Sequence, residues 1–151
     1  MCWMCDHPKA TFDDYLEDVV RPTIALCGYA VQATTWRDLP MAYTVGRAER
    51  GEPELVVTGK PPDEAYDLLE ALLAGEEQPT AGGRCDLLRG PALWALPVVR
   101  PAVLTVAWKL FPGLEALQVV WADAFGDWPW DARDSPQLLL AEPDEGWRLA
   151  G

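Results

Sequence analysis

Residues 53–75 read PELVVTGKPPDEAYDLLEALLAG, and this stretch joins two kinds of periodicity across one short turn. Leu55 to Thr58 is an apolar run bounded by Glu54 and Gly59, the pattern of a strand. Pro61, Pro62, Asp63 and Glu64 then open a helix, because proline suits a first turn that needs no donor and carboxylates favour the positive end of the helix dipole. Ala65, Leu68, Leu69, Leu72 and Leu73 fall on one stripe that Gly75 ends, so this helix must bury that stripe.

Upstream, Tyr29, Val31 and Ala33 alternate with Gln32 and Thr34, and Met41 to Gly46 is short and β-prone. With Leu55 to Thr58 these make three strands joined by short loops, the signature of an antiparallel meander. Before them, Thr11 is an N-cap candidate for a helix over 12–27 whose Phe12, Tyr15, Leu16, Val19, Val20, Ile24 and Cys27 recur at helical spacing. Pro22 should kink or split that helix, and Gly28 should end it.

Downstream, 93–99 reads as a strand, 102–111 as a short buried helix, and 117–122 as a fully apolar strand with a central place. A short strand near 85–88 and a last one at 138–140 complete the pattern. The expected fold is therefore α+β, one domain over 11–141 in which an antiparallel sheet is covered by about three helices. A Cys-rich segment, 1–10, precedes it and a polar tail, 142–151, follows.

The chain has 151 residues, half of them apolar, with 12 Lys+Arg against 24 Asp+Glu and a net charge of -12. That hydrophobic share supports a packed core of the size one domain needs. The acidity excludes a basic stripe for phosphates and disfavours anionic membranes, so neither nucleic acid nor membrane is an expected partner. A cationic peptide, protein or small ligand suits the charge better. No apolar stretch is long enough for a membrane span and the start lacks a secretory pattern, which gives a cytoplasmic expectation with reduced cysteines.

Elimination narrows the chemistry. His7 is the one histidine and Ser135 the one serine, so two-histidine metal sites are impossible within the chain, and Ser135 in ARDSPQ lacks a nucleophile-elbow context. There is no GxGxxG and no GxxxxGK[ST] for nucleotide phosphates. What survives is Cys2, Cys5 and His7, a C-x-x-C-x-H cluster in which two thiolates and an imidazole could hold a metal, zinc by preference, with Cys85, Cys27 or Asp6 as a further ligand. Incidental thiols on a flexible terminus are the plainer reading. A CxxC redox pair is a third, weakened because His7-Pro8-Lys9 separates Cys5 from the helix start.

The second constellation is acidic and aromatic: Trp121, Asp123, Asp127, Trp128, Trp130, Asp131 and Asp134. Indole faces attract cations and carboxylates anchor them, although Asp-Gly turns and packed tryptophans explain the same residues structurally. Tyr43 and Thr44 must point to opposite sheet faces, one into the core and one free for a ligand. Tyr43, Arg47 and the 121–134 hairpin are therefore expected to approach one another as a ligand-binding face.

The segments MCWMCDHP, AYTVGR, PELVVTG, LQVVWADAFGDWPWD and QLLL occur in an order that resembles the bacterial family called domain of unknown function 4262. The resemblance spans nearly the whole chain and implies a single α+β domain, but no reaction, cofactor or catalytic residue. The Cys-rich start is similar to that of an actinobacterial subset, and Arg47 stands where the family carries an apolar residue. Three functions are thus open: a binding or regulatory module with an acidic, Trp-rich face, a thiolate-ligated metal domain acting as enzyme or sensor, and an immunity-like protein against a basic toxin.

Overall fold

A computed structural model of the chain describes residues 3–75, 77–87, 90–132 and 135–141. The polar tail 142–151, Cys2 and Asp134 lie outside them. A short helix, α1 (Trp3–Asp6), precedes the expected first helix. Thr11 caps α2 (Phe12–Tyr15): its hydroxyl accepts from the Asp14 N–H at 3.1 Å, and the Asp14 carboxylate accepts from the Thr11 N–H at 2.8 Å.

The helix then widens into a π turn, Leu16–Val20, and continues as α3 (Arg21–Cys27) until Gly28, which takes φ 86. Pro22 neither breaks the helix nor ends it. Lacking an N–H, it cannot extend the α ladder, and the π turn just before it shifts the bonding so that the Arg21 N–H donates to Leu16 O. Leu16, Val20 and Ile24 stay on one buried face.

Five strands form the sheet: β1 (Ala30–Trp36), β2 (Leu39–Val45), β3 (Glu54–Thr58), β4 (Leu93–Pro97) and β5 (Ala116–Trp121). Their order is β1-β2-β3-β5-β4. The meander of β1, β2 and β3 is antiparallel as read from the sequence, and so is the β4–β5 pair, but β3 and β5 run parallel, Glu54 opposite Ala116. The sheet is mixed rather than antiparallel. Both strands are buried on both faces, so their residues run apolar without alternation and carry no record of direction.

Between them the chain forms α4 (Pro62–Ala74), β4, a 3-10 turn (Pro101–Val103) and α5 (Thr105–Leu110). Helix α4 lays Ala65, Leu69 and Leu72 on one face of the sheet, against Ala42, Leu55, Val57, Leu117 and Val119. Burying three such side chains contributes on the order of 5 kcal/mol before entropy. The opposite face carries α3 and α5 over Met41, Tyr43, Val45 and Val56. It continues under residues 135–141 into a tryptophan cluster of Trp94, Trp128 and Trp130.

The segments expected as short strands behave differently. Arg84 makes a single bridge to Trp94, and Cys85 N–H donates to Leu93 O, so this loop seals the outer edge of β4. Residues 138–140 join no ladder; they bond the side chain of Gln118, whose Nε2 donates to Leu138 O and whose Oε1 accepts from Leu140 N–H. No helix among the described residues is long and apolar enough to cross a membrane.

Candidate functional site

Tyr43 stands in the middle of β2 and is 1% exposed. Its hydroxyl accepts from the Val106 N–H at 3.1 Å, tying the sheet to the first turn of α5, and burial raises its pKa. Thr44 points to the other face as expected, yet it is fully buried too. Neither is free for a ligand. Thr44 is absorbed by Glu54, to whose Oε1 its hydroxyl donates at 2.9 Å.

Glu54 is the residue that the sequence reading missed. It opens β3, is fully buried, and its carboxylate also accepts from the backbone N–H groups of Gly46 (2.9 Å), Arg47 (3.1 Å) and Ala48 (3.1 Å). These donors are the open end of the 3-10 turn Arg47–Arg50, so the carboxylate acts as a cap supplied from a neighbouring strand. Gly46 is required at the corner because it takes φ 116 and a Cβ there would lie 2.8 Å from Ile24. Burial pushes the Glu54 carboxyl up from its ordinary value, against the pull of its four donors.

Arg47 opens this turn and is buried, 3% exposed. Its Nε donates to Pro53 O at 2.9 Å and its Nη1 to Gln78 Oε1 at 3.3 Å, with Glu52 at 3.2 Å as its ion partner. The AYTVGR and PEL segments thus form one internally satisfied corner at the start of β3 and β5. Trp121 closes the opposite end of β5. Arg47 and the Trp-rich loop therefore stand at opposite ends of the sheet, and the structure does not bring them together as one face.

At that far end, Asp123 folds the loop: its Oδ1 accepts from Phe125 N–H at 2.8 Å and Asp127 N–H at 2.9 Å, and its own N–H donates to Asp127 O at 2.8 Å. Beneath it the indoles pack. Trp128 is 3% exposed, meets Trp94 edge-on at 5.6 Å and stacks on Trp130 at 5.6 Å with 6° between the rings. The protein's own cations already sit on them: Arg84 lies 5.7 Å from the Trp128 ring centre and Lys60 4.4 Å from that of Trp121. The Trp130 indole N–H is buried with no acceptor among the described residues. The exposed groups of the loop are Asp123, Asp127, Asp131 and Phe125, the last 90% exposed.

Of the candidate metal ligands, Cys5 and His7 are exposed on and just after α1, and Cys27 is exposed at the end of α3. Cys85 packs against the α4 side of the core, and burial raises its thiol to about 11. A thiol so held is a poor start for ligation, which needs the thiolate. Among the described residues no three of His, Cys, Asp and Glu converge to hold a metal ion.

A family model described as Domain of unknown function (DUF4262) matches residues 23–134. No curated protein and no solved structure matches the chain.

Proposed function

The chain belongs to this family of domains of unknown function, and from its geometry we propose that it is a binding module for a cationic peptide or protein, docked at the tip of the loop 123–127. One observation carries the reading. Phe125 projects 90% exposed from a loop that Asp123 holds with two side-chain hydrogen bonds, between the exposed carboxylates of Asp123 and Asp127. A large apolar side chain held out in this way adds almost nothing to folding stability and rewards a partner that covers it.

The carboxylates define the partner's sign. Neither Asp123 nor Asp127 pairs with a described Lys or Arg, and the chain as a whole carries -12, so a basic surface gains both steering and short-range pairing. The tryptophans serve from behind: packed at the base of the loop, they fix it without touching the partner. An immunity-like role is the special case in which the basic partner is a toxin.

The test uses a fluorescein-labelled oligo-arginine peptide and anisotropy. Phe125→Ala and Asp127→Asn should each weaken binding severalfold with unchanged melting temperature. Equal binding by both variants, or equal binding of an oligo-glutamate peptide, overturns the proposal.

A further inference from the structure

A cavity of about 450 Å³ opens on the sheet face that carries α5, between the β1–β2 turn, the 99–103 segment and residues 138–141. That volume lies within the range of small-molecule sites. Its walls are apolar, with the Trp36 indole, Val103 and Leu138 to Leu140, and Val99 stands 52% exposed at its side.

Two guanidinium groups line it, Arg37 and Arg100. Every other described arginine, namely Arg21, Arg47, Arg50 and Arg84, reaches a carboxylate. Arg37 and Arg100 reach none among the described residues, although acidic residues outnumber basic ones twofold in the chain. Arg37 lies 5.8 Å from the centre of the Trp36 ring, and two cations with no carboxylate partner among the described residues present ten N–H donors in two planar forks at one cavity, the geometry that fits a carboxylate.

The backbone adds an independent observation. Arg37 and Asp38 form the two-residue turn between Trp36 and Leu39 and take φ 50 and φ 64. A turn of this kind is filled at least cost by Asn-Gly, because side chains with a Cβ are strained in the left-handed region. An arginine held there puts its charge at the cavity at the expense of the turn, and strain of this sort collects at functional sites.

We propose that this cavity binds a small amphipathic carboxylate, its head on Arg37 and Arg100 and its aliphatic or aromatic body against Trp36, Val103 and Leu140. The site is distinct from the loop at 123–127 and does not depend on the function assigned to that loop.

The probe is 1-anilinonaphthalene-8-sulfonate, whose fluorescence reports occupancy, with decanoate, decanol and decyltrimethylammonium as competitors. Decanoate should displace it at least about tenfold more effectively than decanol, and the ammonium least, because one charge-assisted contact is lost or reversed. Arg100→Gln should weaken decanoate about tenfold. Arg37→Asn is the decisive variant: asparagine suits the left-handed turn, so this protein should melt no lower than the parent while losing decanoate about tenfold. Equal displacement by all three competitors, or decanoate binding unchanged in both variants, overturns the proposal. So does loss of binding in Arg37→Asn that comes only with a lowered melting temperature, since the arginine would then be structural.

Discussion

Gln118 and Gln137 each lend a side-chain amide to the backbone beside the other. Gln118 donates to Leu138 O at 2.8 Å and accepts from Leu140 N–H at 2.7 Å; Gln137 accepts from Trp121 N–H at 3.0 Å and donates to Trp121 O at 2.9 Å. Both are buried, so removing either amide would leave its own two backbone partners unpaired. Gln118→Ala is expected to cost about 2–3 kcal/mol and to make the 135–141 segment cleavable by protease; urea unfolding and limited proteolysis measure the two effects.

Gly59 tests the same docking from the other partner. It takes φ 83, and a Cβ built there would lie 2.3 Å from Pro136 O. Gly59→Ala is therefore expected to cost at least about 2 kcal/mol and to loosen 135–141 selectively, seen as faster amide exchange at Leu140 than at Val57.

The tryptophans separate core from surface. Trp128→Ala removes the centre of a packed cluster and should cost about 3–5 kcal/mol, whereas Phe125→Ala should change stability by less than about 0.5 kcal/mol. Trp130→Phe deletes a buried N–H that has no acceptor among the described residues, along with some contact area, and the two effects should nearly cancel, to within about 1 kcal/mol. Thermal unfolding of the three variants is the check.

Glu54 gives the protein a pH dependence of definite sign. Its folded-state pKa lies above the ordinary one because burial disfavours the charge, so the folded chain holds this proton more tightly than the unfolded chain. The stability it contributes is complete below the ordinary glutamate range, about pH 4, and is lost as pH rises through the raised value. The stability of the wild type relative to Glu54→Gln should accordingly fall from pH 4 toward neutrality. A difference that grows instead would mean that the donors from Gly46, Arg47 and Ala48 outweigh burial.

Cysteine reactivity follows from the same physics. With its thiol raised to about 11, Cys85 is almost wholly protonated at pH 8, while Cys5 and Cys27 are exposed. Iodoacetamide at pH 8 should label Cys5 and Cys27 well before Cys85 in the native protein, as read by peptide mass mapping, with the difference lost in urea.

The elements legible from sequence are those whose two sides differ. Helix α4 pairs a Leu-rich stripe with an acidic outer face, and its bounds, its stripe and the burial of Leu69 and Leu72 all follow from that contrast. The direction of β5 does not, because Leu117 to Val120 is buried on both sides and reads the same in a parallel or antiparallel sheet. Site reading failed where contacts are distant in sequence. Nothing local to Trp128 announces that Arg84 and Trp94 will cover it, and nothing local to Glu54 announces three waiting backbone donors; its single signal is a carboxylate opening an apolar run.

The parallel pairing of β3 with β5 also sets an order of assembly. All of 59–115 must be made before Glu54 can meet Ala116, so during synthesis the β1–β2–β3 meander stands complete while one side of β3 has no neighbour. Helix α4 is next off the ribosome and covers the apolar face at Leu55 and Val57, but it cannot supply hydrogen bonds to that open edge. Closure of so long a loop makes this the slow step, and a pulse of deuterium early in refolding should find β1–β2 amides protected before those of β5. A ribosome-held or truncated chain ending near residue 75 would be the form most prone to pair its β3 edge with a second copy.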